Sequence, residues 1–298
     1  MRGSVGVAAA LGLSPLFIGI ALVGFGTSTP ELVTSLQAAF AESPGIAVGN
    51  VVGSNIANIL LILGIGALIL PVACDPKAFY RDGSVLVVSA LALTVVVLFG
   101  YLGRWTGLAF VTAVVAYVVF TYIKESRSPD EAAAVYEAEA ALQMGSRKLT
   151  ILIALAFAIG GIAVTIFGAR LLVDGAIELA ANAGVSEAVI GLTVVAIGTS
   201  LPELVTAVIA ALKKQGDVAF GNIIGSNIYN VLGILGVTAL VEPIPVPPEI
   251  LRVDIWVMLG ASVLLVVFAA TNRRFERWEG GVALALYVAY VGYLASVA

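Results

Sequence analysis

The sequence predicts an all-α polytopic membrane protein made of two inverted repeats, and it does so through its composition, its long apolar stretches and a duplicated motif. Of the 298 residues, 60% are hydrophobic and 11% are charged, and the mean hydropathy is +1.08. These values are typical of membrane proteins. A single cysteine excludes an intrachain disulfide, and the lack of histidine removes the commonest metal ligand. Ion chemistry must therefore use carboxylates, hydroxyls, amides and backbone carbonyls.

Nine apolar stretches are each long enough to cross about 30 Å of hydrocarbon at about 1.5 Å per residue. They are 14–39, 44–70, 83–102, 105–123, 149–173, 187–212, 217–241, 253–271 and 280–297. Between the fourth and the fifth, residues 125–148 form the only extended polar segment. We interpret it as a solvated linker with one short helix, with a regulatory ion-binding loop as the alternative. It separates a first repeat, 1–124, from a second, 149–298.

The basic residues predict the orientation, because cytoplasmic loops retain Lys and Arg. Twelve fall on the side of the amino terminus and three on the other. The first group is Arg2, Lys77, Arg81, Lys124, Arg127, Arg147, Lys148, Lys213, Lys214, Arg273, Arg274 and Arg277, and the second is Arg104, Arg170 and Arg252. The sequence thus predicts a multi-pass protein of the cell membrane, plasma or inner, with its central linker in the cytoplasm.

The duplicated motif occupies Gly26 to Asn58, GTSTPEL followed by GNVVGSNIAN, and returns at Gly198 to Asn230 as GTSLPEL and GNIIGSNIYN. Every residue of the first copy matches a residue of the second copy at the same separation along the chain, the number of residues from Gly26 to Gly198. We call this separation the repeat offset. Because it is constant, the copies align without a gap. The second motif helix comes five spans after the first, so the two copies cross the membrane in opposite directions. Inverted repeats with broken helices at the midplane are typical of secondary transporters.

The stretch 149–173 has no counterpart in the first repeat, because the equivalent residues would precede Met1. We therefore expect that the first repeat lacks its leading helix. One hypothesis is a truncated or internally started form of a ten-span protein, and the alternative is a genuine nine-span form.

The motif predicts a cation site because it combines a helix break with oxygen-bearing side chains. Pro30 cannot donate a hydrogen bond to the carbonyl of Gly26, so the helix should open there. Unpaired carbonyls are expected at residues 24–26 and 196–198. If helical geometry is kept locally, the spacing places Thr27 and Ser28 on one face with Glu31. By the same spacing, Ser54 shares a face with Asn58, and Ser226 with Asn230.

Two carboxylates from the two copies, Glu31 and Glu203, suit a divalent cation. Calcium accepts about 6–8 oxygen ligands in irregular geometry, and two carboxylates balance its charge in a low-dielectric site. The empty pair would repel, so Na⁺ or H⁺ would have to replace Ca²⁺ before the protein could reorient. That requirement predicts exchange rather than leak.

Less specific interpretations apply to several of these residues. A lone intramembrane glutamate can be a structural group that is hydrogen-bonded to a neighbouring helix, although two at equivalent positions after a proline favour function. The glycines Gly49, Gly53, Gly221 and Gly225 favour close helix packing over ligation. Asn50 and Asn222 either hold the opened backbone together or act as ligands. The aspartates Asp75, Asp82, Asp217 and Asp254 are expected at the membrane interfaces.

At these two motifs the sequence resembles the α-repeats of the cation/calcium exchanger superfamily, most closely the prokaryotic sodium/calcium antiporters. The resemblance implies a ten-helix fold, here without the first helix of repeat 1, whose core helices surround the ion sites. It implies calcium ligation by Glu31 and Glu203, by carbonyls near Gly24 and Ala196 and by the hydroxyls of Thr27 and Thr199. It places Ser28, Ser54, Ser200 and Ser226 at flanking sodium sites, with Asn58 and Asn230 beside the centre.

One position departs from this pattern. Several members carry an aspartate in the second repeat where this chain has Asn230. The departure bears on ion stoichiometry, potassium requirement and proton participation rather than on the divalent site.

The predicted function is secondary active antiport of Ca²⁺ against Na⁺. The alternatives are Ca²⁺/H⁺ or K⁺-dependent exchange at the same site and, less favoured, a cation channel. An enzyme is not expected, because no Cys, His or Ser–Lys constellation accompanies the glutamates. The expected partners are the lipid bilayer and the transported Ca²⁺ and Na⁺, with no cofactor, no nucleic acid and no obligatory protein partner.

Overall fold

The structure, a computed structural model, describes residues 26–73, 76–127, 151–212, 216–272 and 274–297. Within these ranges the chain forms helices and four two-residue strands. In chain order they are α1 Thr29–Phe40, α2 Pro44–Ile69, β1 Val72–Ala73, α3 Pro76–Leu98, β2 Tyr101–Leu102, α4 Arg104–Arg127, α5 Ile151–Ala183, α6 Glu187–Thr199, α7 Leu201–Leu212, α8 Gly216–Val241, β3 Ile244–Pro245, α9 Ile250–Asn272, β4 Arg274–Phe275 and α10 Arg277–Val297.

The predicted all-α polytopic architecture is confirmed. Seven helices in the described residues are long and apolar enough to cross a membrane. Helices α6 and α7, bent by 47° at their break, meet the same criteria together, as one broken span or as a re-entrant loop. The predicted stretch 14–39 lies partly outside these residues, and α1 covers its end. Helix α5 continues past the predicted limit of 173 and is followed by Gly184, whose φ of 67° is readily adopted only by glycine. Helix α4 extends to Arg127, and the remainder of the predicted linker, 128–148, lies outside the described part.

Helices α2 and α8, which carry the second half of each motif, occupy the centre. In each of these helices, 78% of the apolar 18-residue stretch is buried inside the protein, against 11% in α5. The outer helices present apolar side chains such as Phe157 and Phe167 on their surface. In a membrane protein these side chains face lipid, so the polar groups of α2 and α8 are shielded by apolar helices.

Small residues let α2 approach α6 closely. A Cβ built on Gly53 would lie 2.5 Å from the carbonyl oxygen of Leu192, and one on Gly49 would lie 2.9 Å from that of Ala188. The predicted packing role is confirmed for these two glycines. Gly225 differs, because, apart from its chain neighbours and the adjacent backbone of its own helix, no atom of the described residues lies within 4 Å of its Cβ position.

Two short antiparallel ribbons join the repeats. Strand β1 pairs with β4, with Val72 opposite Phe275, and strand β2 pairs with β3, with Leu102 opposite Ile244. Each ribbon takes one strand from the first repeat and one from the second. The ribbons therefore cross-link the two halves at both ends of the central helices.

The central helices contain wide turns that the sequence did not predict. Residues Ala57–Leu63 of α2 and Tyr229–Leu235 of α8 are π-helical, and the two segments are again related by the repeat offset. Such turns are rare and are frequent at functional sites. Each π-helical segment begins between the serine and the last asparagine of its motif. The wide turn therefore distorts the α-helical spacing that was expected to place Ser54 on one face with Asn58, and Ser226 with Asn230.

Two aspartates that were expected at the interface are buried in the structure. Asp254 is 3% exposed and accepts a hydrogen bond of 2.8 Å from the Tyr290 hydroxyl. Asp82, its counterpart in the first repeat, accepts one of 3.0 Å from Tyr117 and pairs with Arg81. Partners on the neighbouring helices allow these carboxylates to lie inside the protein.

Candidate cation-binding site

In each repeat, the helix that carries the first half of the motif is broken at a serine three residues before the glutamate. Ser28 (φ −84°, ψ 13°) and Ser200 (φ −84°, ψ 9°) leave helical geometry in nearly the same way. The proline two residues later, Pro30 or Pro202, cannot continue the hydrogen-bond ladder, as predicted. The breaks turn two short polar segments toward each other.

The two glutamates are held reciprocally across the repeats. The Ser28 hydroxyl donates to Glu203 Oε1 at 2.9 Å, and the Ser200 hydroxyl donates to Glu31 Oε1 at 3.0 Å. Both carboxylates have no exposed surface. Helical geometry is not kept at Ser28, so its hydroxyl does not face the glutamate of its own repeat as the spacing would have required. The helix break at residues 27–28 redirects this hydroxyl toward the partner carboxylate.

Three of the four remaining motif hydroxyls lie beside the same two side chains. Thr27 and Ser226 lie beside the Glu203 carboxylate, with 3.5 Å between their hydroxyl oxygens. Thr199 lies beside Glu31. Ser54 donates to the carbonyl of Ala196 at 3.4 Å. The hydroxyls predicted from the sequence thus come together, although not in identical arrangements in the two repeats.

One predicted backbone ligand is engaged differently from the expectation. The Ala196 carbonyl accepts from the Ser200 amide at 3.1 Å, and the Thr199 hydroxyl oxygen lies 3.3 Å from it. It is not unpaired, because proline removes only the amide at position 202 and leaves that of Ser200 to complete the turn. Gly24, the equivalent residue of the first repeat, lies outside the described residues.

A layer of four asparagines closes the site between the central helices. Asn58 Nδ2 donates to Asn227 Oδ1 at 3.1 Å, and Asn230 Nδ2 donates to Asn55 Oδ1 at 3.0 Å. Sequence reasoning singled out Asn58 and Asn230 and overlooked Asn55 and Asn227. The signal was present, because the latter two also match each other at the repeat offset.

Among the buried oxygens that have no hydrogen-bond partner in the described structure are two equivalent pairs, one carboxylate oxygen and one amide oxygen from each repeat. They are Oε2 of Glu31, Oε2 of Glu203, Oδ1 of Asn58 and Oδ1 of Asn230. A buried oxygen without a partner is costly unless something binds it, and oxygen-only sets suit hard cations. Among the described residues no group of three acidic, His or Cys side chains gathers anywhere.

Comparison with known proteins gives a consistent assignment. The family described as sodium/calcium exchanger protein matches residues 1–123 and 153–295. The putative antiporter CaxA of Alkalimonas amylolytica is 36% identical over 98% of this chain and 90% of its own length. The sodium/calcium exchanger MaX1 of Methanosarcina acetivorans is 33% identical over 96% of this chain and 90% of its own.

A solved structure shares the fold as well. The sodium-calcium exchanger NCX_Mj, in crystals soaked with Na⁺ and Sr²⁺, superposes with a TM-score of 0.66 at 30% identity. The match covers 98% of this chain and 91% of that one. The resemblance seen in the two motifs therefore extends over the whole fold, and the chain belongs to the sodium/calcium exchanger protein family.

Proposed function

We propose that the protein is a secondary active antiporter that exchanges Ca²⁺ for Na⁺ by alternating access, with the divalent cation held between Glu31 and Glu203. The observation that carries the proposal is the reciprocal pair of buried carboxylates, each fixed on one oxygen by a serine of the other repeat. Among the described residues, the second oxygen of each carboxylate has no hydrogen-bond partner. A cation that binds both oxygens joins the two repeats.

The charge balance favours a divalent ion. Two carboxylates neutralise one Ca²⁺, which removes most of the cost of holding charge in a low-dielectric interior. Amide oxygens of Asn58 and Asn230 and the hydroxyls of the motifs add neutral ligands, and Ca²⁺ takes about 6–8 oxygens. The serine hydroxyls next to the carboxylates supply the oxygens for Na⁺.

The same electrostatics explains why transport should be an exchange. Two like charges about 4 Å apart repel by about 4 kcal/mol at an effective dielectric constant of about 20. If the site were empty, the two carboxylates would still repel each other while the protein changes access from one side of the membrane to the other. Bound Na⁺ relieves this repulsion, so the return step requires the counter-ion.

We further propose that repeats 1–124 and 149–298 lie in the cell membrane in opposite orientations, with the linker 125–148 in the cytoplasm. The distribution of Lys and Arg supports this arrangement. The reciprocal contacts between the repeats support it as well, because they fit a twofold relation between the halves.

Flux measurement on purified protein in liposomes tests the function. Vesicles loaded with Na⁺ and diluted into Na⁺-free medium with radioactive Ca²⁺ should accumulate Ca²⁺, and collapse of the Na⁺ gradient should stop it. Uptake driven by a pH gradient alone would replace Na⁺ by H⁺ as the counter-ion. A requirement for K⁺ would identify the K⁺-dependent form, and Ca²⁺ currents without any counter-ion would identify a channel.

A further inference from the structure

Asn50 is at the centre of a hydrogen-bond network that joins the two helix breaks. Its amide nitrogen donates to the backbone carbonyl of Glu31 at 3.1 Å and lies 2.9 Å from the Ser35 hydroxyl. Its amide oxygen accepts from the Thr199 hydroxyl at 3.0 Å. The side chain has no exposed surface. We call these contacts the Asn50 latch, because they attach the turn that contains Glu31 to the helix break of the second repeat.

The equivalent side chain in the second repeat makes no such contacts. Asn222 is 1% exposed, and neither its amide nitrogen nor its amide oxygen has a hydrogen-bond partner among the described residues. By the repeat offset, its partners would be the carbonyl of Glu203 and the hydroxyl of Thr27. Thr27 instead lies 3.5 Å from the Ser226 hydroxyl. An unpaired buried amide is unfavourable, so this arrangement leaves an interaction unused.

The asymmetry is local. Around it the serine–glutamate pairs keep their reciprocity, with bonds of 2.9 Å and 3.0 Å. The asparagine pairs do the same, with bonds of 3.1 Å and 3.0 Å. In a transporter with inverted repeats, the two repeats exchange their roles when access changes sides. A contact present in one repeat alone is therefore a candidate for a state-specific contact.

We propose that Asn50 and Asn222 are positioning residues that act alternately. The Asn50 latch is closed in the conformation described here. In the oppositely open conformation Asn222 donates to the Glu203 carbonyl and accepts from Thr27, while the Asn50 latch opens. This proposal rests on the alternating access proposed above and assigns these asparagines to control of sidedness rather than to ion ligation.

A sequence difference biases the two states. Ser35 anchors the Asn50 amide, whereas the equivalent residue of the second repeat is Ala207. The second latch therefore lacks one of the three partners of the first. The bias favours the conformation with the Asn50 latch closed.

The test uses the full chain in oriented proteoliposomes and measures the Ca²⁺ concentration for half-maximal transport at each face. A shift in the conformational equilibrium raises one value and lowers the other, so their ratio reports it. Asn50→Ala and Asn222→Ala should shift the ratio in opposite directions, each by about fivefold or more, since the loss of one buried hydrogen bond alone has about that effect. Ala207→Ser and Ser35→Ala should both shift it in the direction of Asn50→Ala.

Ser262→Ala is the matched control. Ser262 is buried in α9 and bonds to the Met258 carbonyl of its own helix at 2.9 Å, so the ratio should not change. If the two asparagine variants lower the maximal rate and leave the ratio unchanged, the asparagines are merely structural and the proposal is wrong. Should either fail to fold, an unchanged ratio in Ala207→Ser and Ser35→Ala overturns it.

Hydrogen exchange separates failure of the latch from failure of the proposed function, because it needs no transport. Exchange at residues 26–32 should increase in Asn50→Ala, and exchange at residues 198–204 should decrease. Asn222→Ala should give the reverse. Equal exchange in wild type and variants overturns the latch, even if Na⁺-driven Ca²⁺ flux is normal.

Discussion

Asn55 and Asn227 occupy the same position in the two repeats and contact each other, with Asn55 Nδ2 3.4 Å from the backbone carbonyl of Asn227. Equivalent residues of two repeats meet where the axis relating them passes. The axis therefore runs through the asparagine layer, and the glutamates lie around it. A site on such an axis presents the same kinds of ligand to both faces of the membrane, which suits a cation that must be released to either side.

Removing either carboxylate should abolish calcium transport without unfolding the protein. In Glu31→Gln the amide oxygen can still accept from Ser200, but one negative charge is lost and Ca²⁺ is no longer neutralised. We expect Na⁺-driven Ca²⁺ uptake to fall by about 100-fold or more, which corresponds to about 3 kcal/mol, and Glu203→Gln to behave alike. Uptake of radioactive Ca²⁺ is the measurement, with size-exclusion profiles to check folding.

Asp254→Asn is the control for the glutamate variants. Asp254 is also a buried carboxylate, and asparagine can still accept the hydrogen bond from Tyr290. Transport should persist in this variant. Substantial uptake in Glu31→Gln or Glu203→Gln, in protein that is correctly folded, would place the divalent site elsewhere.

The serines that hold the carboxylates should affect binding of the ion, and both should act to the same extent. Ser28→Ala and Ser200→Ala each remove one hydrogen bond to a charged group, which is worth about 1.5–3 kcal/mol. The half-saturating Ca²⁺ concentration should therefore rise by about tenfold or more in each variant. Titration of Ca²⁺ uptake checks this, and a change in only one of the two would show that the reciprocal geometry does not persist in the ion-bound protein.

The sequence predicted the parts of this site that depend on residue identity and spacing. The repeat offset identified Glu31 and Glu203, and the prolines identified the helix breaks. It could not predict that Ser28 serves the glutamate of the other repeat, because that contact depends on how two halves pack. Nor could it place the π-helical turns, since the apolar run in Ala57–Leu63 suits α- and π-geometry equally. The unequal partners of Asn50 and Asn222 belong to one conformation, and sequence similarity makes them look equivalent.

Close packing of α2 on α6 should make Gly53 intolerant of any side chain. In Gly53→Ala the new methyl group would lie 2.5 Å from the Leu192 carbonyl oxygen and 2.8 Å from the Ala196 Cβ. Because these neighbours are backbone and a short side chain, relief requires a shift of the helix. We expect a loss of about 1–3 kcal/mol of stability, visible as a lower melting temperature in detergent.

Gly66→Ala in the same helix is the matched substitution, because, apart from its chain neighbours and the adjacent backbone of that helix, no atom of the described residues lies within 4 Å of its Cβ position. It should leave the melting temperature unchanged or raise it slightly, since alanine favours helix more than glycine does. Equal destabilisation by the two variants would mean that loss of helix flexibility, rather than contact with α6, is responsible.

A carboxylate at position 230 should make transport depend on protons. Asn230 now donates to Asn55 Oδ1 at 3.0 Å. In Asn230→Asp only the protonated acid can make that bond, whereas the ionised form places a third negative charge near Glu31 and Glu203. Burial and two like charges both favour the protonated form.

Ca²⁺ binding releases the proton, because the divalent ion favours the ionised acid. Ca²⁺ uptake by this variant should therefore increase more steeply with pH than that of the wild type, as initial rates measured over a series of pH values will show. Asn58→Asp, the equivalent change in the first repeat, should steepen the pH dependence of Ca²⁺ uptake in the same way. If both variants instead give the pH profile of the wild type, these amides lie too far from the ion to influence its charge balance.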